Sequence, residues 1–215
     1  MSGSNGSGEK LAMVAKPTGF SGRMLARVMA VTHKTISKNL DNNVVAKLDL
    51  QPEDDYLEIG FGSGSFMKSY ASHVQSIAGL DHSEDMVRLA TRYNQKRVKI
   101  GTAEFKHGEA SSLPWDDGRF SVVLAMESFF FFPEPVESLK EIHRVLRPGE
   151  RLVISLSLNA DDGKDHTEDV RRYGIRLYTG QKMQAMFQEA GFPKSSISYS
   201  KEFMMPGFMV ASAIK

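Results

Sequence analysis

The chain contains no cysteine. That excludes disulfides, thiolate metal sites and every mechanism built on a cysteine nucleophile. Neither sign of charge is in surplus: 27 Lys and Arg stand against 26 Asp and Glu, a formal net charge of +1. Such a balance offers no electrostatic footprint for nucleic acid or an anionic membrane. No stretch reaches the roughly 18 consecutive apolar residues of a membrane span. No charged segment leads into an apolar one as in a secretory leader, so a cytoplasmic protein is expected. The six histidines include no i, i+4 pair and no H-x-H, so no metal site is expected.

What is present is enough for one ordinary domain. The 215 residues are 41% hydrophobic, and a chain of this size buries about 70% of its unfolded surface. Residues 1–15 read as a flexible tail, opening with the Gly/Ser-rich MSGSNGSGE. Residues 16–215 read as a single domain, with an N-terminal helical lid over 20–50 and a sheet core over 54–215. In the lid, Met24, Leu25, Val28 and Met29, then Leu40, Val44, Val45 and Leu48, follow a helical period.

From Asp55 the pattern alternates. Tyr56–Ile59 reads as a strand, and Phe66, Met67, Tyr70 and Val74 as a helix stripe. Ile77–Leu80 is a second strand ending at Asp81. Ser83 is placed to cap a helix with Met86, Leu89, Ala90 and Tyr93 inside. A weak strand covers Ala103–His107, and Phe120–Ala125 is nearly all apolar, as in a strand buried on both faces. Pro135 suits the first position of a helix through Val145, stopped by Pro148-Gly149. Arg151–Ser157 alternates as a strand, and a short helix is expected around Val170–Leu177. Thr179 is placed to cap a helix ending at Gly191. Strands Ser196–Glu202 and Phe208–Ile214 close the chain as a hairpin. Alternation predicts an α/β fold, a Rossmann-like and mostly parallel sheet with helices on both faces; the hairpin puts one antiparallel strand into it.

Three acids fall at strand tips. Glu58-Ile59-Gly60-Phe61-Gly62-Ser63-Gly64 joins the first strand to its helix, and Gly60 and Gly62 allow a sharp turn and close ligand approach. Asp81 ends the next strand, where a carboxylate can accept both hydroxyls of a ribose. Glu109 follows the third, placed to accept from an adenine amino group beside the Ala110 N–H. The glycine loop alone is equally well a structural turn; the three tips together point to a nucleoside-type ligand. The spacing G-x-G-x-G departs from the dinucleotide fingerprint G-x-G-x-x-G. A carboxylate at Glu58 would also repel a pyrophosphate while suiting a cationic amino group, which disfavours a dehydrogenase.

Tyr56–Gly64, Asp81 with Ser83 and Met86, Gly108-Glu109-Ala110 with Leu113-Pro114, and Leu139 through Gly149 (LKEIHRVLRPG) together resemble the class I S-adenosylmethionine-dependent methyltransferases. The small-molecule branch of the ubiquinone and menaquinone biosynthesis enzymes is nearest. The resemblance implies seven strands in the order 3-2-1-4-5-7-6, with strand 7 antiparallel. It implies S-adenosylmethionine as cofactor and S-adenosylhomocysteine as product. Carried over, Glu58, Gly60 and Gly62 hold the methionine moiety and Asp81 the ribose. His82 lies along the adenine, Glu109 and Ala110 read its edge, and Met126 with its neighbours lies beside the sulfonium. Phe61 stands where a small residue is common, Glu109 where Asp is usual, and Glu150 in place of the second glycine of a Pro-Gly-Gly turn.

Methyl transfer needs alignment and exclusion of water, and a base only where the acceptor must lose a proton early. Glu127, His33 and His82 are the candidate bases, against the simpler reading of Glu127 as a carboxylate that binds a backbone amide. Phe129–Phe132 is expected to divide between an acceptor pocket and packing under the next helix. The fourth-strand loop has no Asn/Asp-Pro-Pro-Tyr/Phe motif of adenine and glutamine amino-group methylation. The expected partner is a small-molecule acceptor, with no nucleic acid. The alternatives are an RNA or protein methyltransferase, or a cofactor-binding protein without catalysis.

Overall fold

The computed structural model describes residues 44–200 and 207–215. The tail, His33 and nearly all of the expected N-terminal helical layer lie outside the described residues. Of that layer, residues 44–48 are helical and bury Val44 and Leu48.

The strands are β1 (Asp55–Ile59), β2 (Ser76–Asp81), β3 (Ala103–His107), β4 (Phe120–Met126), β5 (Leu146–Leu156), β6 (Lys194–Tyr199) and β7 (Met209–Ile214). The helices between them are α1 (Ser65–Tyr70), α2 (Glu84–Tyr93), α3 (Gln95–Lys99), α4 (Pro135–Val145), α5 (Thr167–Tyr173) and α6 (Gly180–Glu189). One sheet runs β3-β2-β1-β4-β5-β7-β6, with β7 antiparallel to both neighbours and the other pairs parallel. The strand order and the antiparallel seventh strand are those expected.

All of β1 and Phe120 to Ala125 of β4 are buried, because helices cover both faces and leave no side for a polar period. On one face Leu57, Ile59, Val123, Ala125 and Ile154 pack under Leu139 and Ile142 of α4 and Met183 and Phe187 of α6. On the other, Tyr56, Val122, Leu124, Val153 and Val210 pack with Phe66 and Met67 of α1, Met86 and Ala90 of α2, and Val44 and Leu48. Pro135 opens α4. Thr179 Oγ1 accepts from the Lys182 N–H at 3.0 Å to cap α6, and Gly191 follows its end at φ +95°. Among the described residues no helix is long and apolar enough to cross a membrane.

Several local expectations are corrected. Ser83 occupies the N-cap position of α2, yet its side chain makes no capping hydrogen bond. Tyr93, read as inward, is exposed, since Met86 and Ala90 alone make the buried face of α2. Helix α1 stops at Tyr70, with Val74 buried beyond it. Helix α4 ends at Val145 as expected, but Pro148-Gly149 lies inside β5, which starts at Leu146 opposite Phe120 of β4 and not at Arg151. Pairing resumes at Arg151 opposite Val122, so the residues between form an irregularity within β5. Helix α5 ends at Tyr173, short of Leu177. Strand β6 ends at Tyr199, and Glu202 lies outside the described residues.

Candidate active site

The carboxyl ends of β1 to β4 are stitched into one edge by their loops. After β1 the chain turns through Gly60 and Gly62, at φ +73° and +54°, a region closed to most L side chains. The Gly60 N–H donates to Leu80 O at 2.8 Å, and the Gly62 N–H to Asp81 Oδ2 at 2.9 Å. Ser128 Oγ donates to Ile59 O at 2.7 Å, bringing the loop after β4 onto the same turn. The Gly108 N–H donates to Asp81 O and His107 Nε2 contacts His82 O at 3.1 Å, which joins β3 to β2.

The two glycines differ in what surrounds them. A Cβ on Gly60 would lie 2.4 Å from Ser128 Cβ, so its role is close approach of protein to protein rather than room for a ligand. A Cβ on Gly62 would meet nothing within 4 Å, and that stretch of backbone faces open space. Phe61 between them is buried against Phe105, with ring centroids 5.4 Å apart. It fits because Gly79 of β2 has no side chain: a Cβ there would sit 2.5 Å from the Phe61 ring.

The acids sit at different depths. Glu58 is buried within β1; the Tyr56 hydroxyl, two residues back on the same strand face, donates to its Oε2 at 2.8 Å. Burial pushes the Glu58 carboxyl up to about 8; the Tyr56 hydrogen bond opposes this and the charge of Asp81 adds to it. Asp81 is also buried, and burial raises it despite the N–H groups of Ser83 and Gly62 and the nearby His82 and His107. The Ser83 N–H reaches Asp81 Oδ1 at 2.9 Å, and His82 Nδ1 lies 3.7 Å from the same oxygen. Glu109 is exposed beside buried Ala110, and Met126 is half-buried at the tip of β4.

Glu127 follows in the left-handed region at φ +53°. Its Oε1 accepts from the Ser157 N–H at 2.8 Å and its Oε2 from the Ser157 hydroxyl, which ties the end of β4 to the loop after β5. Burial pushes this carboxyl up to about 7, against those two hydrogen bonds. The phenylalanine run forms a 3-10 turn over Phe129–Phe131. Phe129, Phe130 and Phe132 enter the core and only Phe131 is half-exposed, so packing claims most of the run. The Arg176 N–H donates to Phe130 O at 3.0 Å and its guanidinium to Phe132 O at 2.5 Å, fixing the turn.

Sequence reasoning missed Tyr56, Ser128 and Ser157. The first was detectable, since positions i and i+2 of a strand share a face. Ser157 was not, because nothing local marks a partner 30 residues away.

A family model described as a methyltransferase domain matches residues 57–154, from β1 into β5. YrhH of Bacillus subtilis (strain 168), a protein carrying a methyltransferase name, is 30% identical over 129 residues, covering 59% of this chain and 71% of its own length. The chain belongs to the class I S-adenosylmethionine-dependent methyltransferases. Within this family it is 26% identical over 190 residues to the 27-O-demethylrifamycin SV methyltransferase of Amycolatopsis mediterranei (strain S699), covering 85% of this chain and 70% of that enzyme. Among solved structures, the methyltransferase fold matches phosphoethanolamine N-methyltransferase 2 of Haemonchus contortus, determined with phosphomonomethylethanolamine and S-adenosylhomocysteine. The TM-score is 0.71 at 14% identity, over 86% of this chain and 56% of that one. This methyltransferase thus spans little more than half the length of the nematode enzyme.

Proposed function

We propose that the chain methylates a hydroxyl-bearing small molecule, with S-adenosylmethionine as methyl donor. One observation carries the cofactor side: two buried acids, Glu58 and Asp81, meet at adjacent strand tips beside the open backbone of Gly62, and among the described residues neither has a Lys or Arg salt-bridge partner. A cationic, hydroxyl-rich nucleoside fits that set of acceptors. When bound, the cofactor supplies a methyl group on a positively charged sulfur, open to in-line displacement.

Glu58 would receive the ammonium of the methionine moiety, and the turn at Gly60 and Gly62 would let the backbone lie against it. Asp81, held in place by two N–H groups, would keep further lone pairs for the ribose hydroxyls. His82 would lie along the adenine, with Glu109 and Ala110 at its edge and Met126 beside the reacting sulfur. The relative acting on a rifamycin supports a small hydroxyl-bearing acceptor. Glu127, raised to about 7 and anchored by Ser157, is the acid at the tip of β4 suited to take up a hydroxyl proton near neutral pH.

The test is an acceptor screen of phenols, aliphatic alcohols and amines, following S-adenosylhomocysteine release. Turnover of a phenol or alcohol supports the proposal. Turnover of amines alone overturns the hydroxyl acceptor. Cofactor binding with no turnover on any acceptor favours a binding protein without catalysis.

A further inference from the structure

Tyrosine is an unusual occupant of a strand buried on both faces, because its hydroxyl must find a partner there. Tyr56 is fully buried among Val122, Leu124 and Val153, and its hydroxyl spends its hydrogen on Glu58 Oε2 at 2.8 Å. Among the described residues the other oxygen of Glu58, Oε1, has no hydrogen-bond partner. The carboxylate is therefore pinned on one oxygen and open on the other. Its neighbours across the sheet, Gly79 of β2 and Leu124 of β4, bring no charge, and the titratable groups around it are Tyr56 on its own strand and Asp81 at the tip of β2.

We infer that Tyr56 is a positioning residue for the cofactor: its buried hydroxyl orients the Glu58 carboxylate so that the free oxygen receives the cofactor's ammonium. This deepens the proposed function and rests on Glu58 having that role. A phenylalanine would fill the same volume but leave the carboxylate free to rotate and short of a donor. The loss should fall on the amino-acid half of the cofactor alone. It should also move the pH dependence, since the tyrosine hydrogen bond holds the Glu58 carboxyl lower than burial would set it.

The experiment compares the parent, Tyr56→Phe and Glu58→Gln by calorimetric titration with two probes. S-adenosylhomocysteine carries the amino-acid moiety, and 5′-methylthioadenosine lacks it. For Tyr56→Phe we expect about tenfold weaker S-adenosylhomocysteine binding near neutral pH, from one lost charged hydrogen bond, and unchanged methylthioadenosine binding. In the parent, S-adenosylhomocysteine affinity should rise as pH climbs toward about 8, where Glu58 ionises. In Tyr56→Phe that rise should move to higher pH. Replacement of Tyr56 by 3-fluorotyrosine, a stronger donor of nearly the same shape, should move it lower and serves if the phenylalanine variant fails to fold.

If Glu58→Gln loses S-adenosylhomocysteine selectively while Tyr56→Phe and the fluorotyrosine protein match the parent, the positioning role is wrong and the Glu58 reading stands. If Glu58→Gln binds as the parent does, both fall. Equal loss of both probes in Tyr56→Phe would make Tyr56 a packing residue and overturn the inference.

Discussion

The two ends of the sheet treat buried acids in opposite ways. At the amino edge, Asp54 and Asp55 are each 5% exposed; at the carboxyl edge, Glu58 is 2% and Asp81 5% exposed. Depth is the same, but the company differs. Asp54 accepts from the Gln51 N–H at 2.8 Å, from Ser121 at 2.6 Å and from Arg151 at 2.6 Å. Asp55 takes Ser76, Arg147 and Arg119. Burial alone would raise both carboxyls, but these donors outweigh it and hold them below the usual aspartate value. At the carboxyl edge the donors are neutral, a tyrosine hydroxyl and backbone N–H groups, and burial wins. A buried acid with an internal cation holds the fold; Glu58, without one, is the acid proposed to take the cofactor's ammonium.

The largest effect that would sharpen this contrast lies at the amino edge. Arg151→Met should cost about 3 kcal/mol, because Asp54 keeps its charge and loses its counter-ion. Urea unfolding should show this with no change in the affinity of the folded protein for S-adenosylhomocysteine. Next comes pH. Asp54 and Asp55 have lowered folded values, so their stabilisation is present above about 3.8 and is lost as pH falls through those values. Glu58 and Glu127 have raised folded values, about 8 and about 7 against 4.5, so their contribution is full below 4.5 and is lost as pH rises through 7 to 8. Thermal melts of the free protein should therefore peak near pH 5 and decline by several degrees toward pH 8. Saturating S-adenosylhomocysteine should flatten the alkaline limb, and a limb unaffected by it would break the contrast.

Glu58→Gln separates function from stability at one residue. It should weaken S-adenosylhomocysteine binding 10- to 100-fold while leaving the melting temperature of the free protein at pH 8 unchanged or higher, since an uncompensated charge is gone. The smallest effect is expected at the turn. Gly62→Ala meets no neighbour and should cost only about 1 kcal/mol for its positive φ. Gly60→Ala must also displace Ser128 and should cost more. Melts of both variants check the order.

Much of this arrangement was legible from the sequence, and the reasons are local. The nearly all-apolar run at Phe120–Ala125 announced a strand covered on both faces, and Thr179 and Gly191 announced the two ends of α6. The glycines after Glu58 and the acids at positions 81 and 109 marked the carboxyl edge because a strand tip is read from where its own strand stops. The amino edge was silent. Asp55 meets Arg147 from 92 residues away and Asp54 meets Arg151 from 97 residues away, and no pattern within either segment records the pairing. The start of β5 was misread for the same reason: Pro148-Gly149 reads as a local stop, but the strand partner Phe120 already claims Leu146. Four consecutive phenylalanines were expected to divide between a pocket and the core, and the turn they adopt sends three of the rings into the core.

The place of β7 bears on how the molecule is made. It is the last strand in sequence, yet it lies between β5 and β6 and pairs with both over six residues each. As the chain leaves the ribosome, β5 therefore presents an unpaired edge, and β6 has no strand partner, until residues 209–214 emerge. An open apolar edge invites pairing between nascent chains. Synthesis that stalls after Tyr199 should yield aggregates, while release of residues 209–214 closes the sheet by inserting a single hairpin arm.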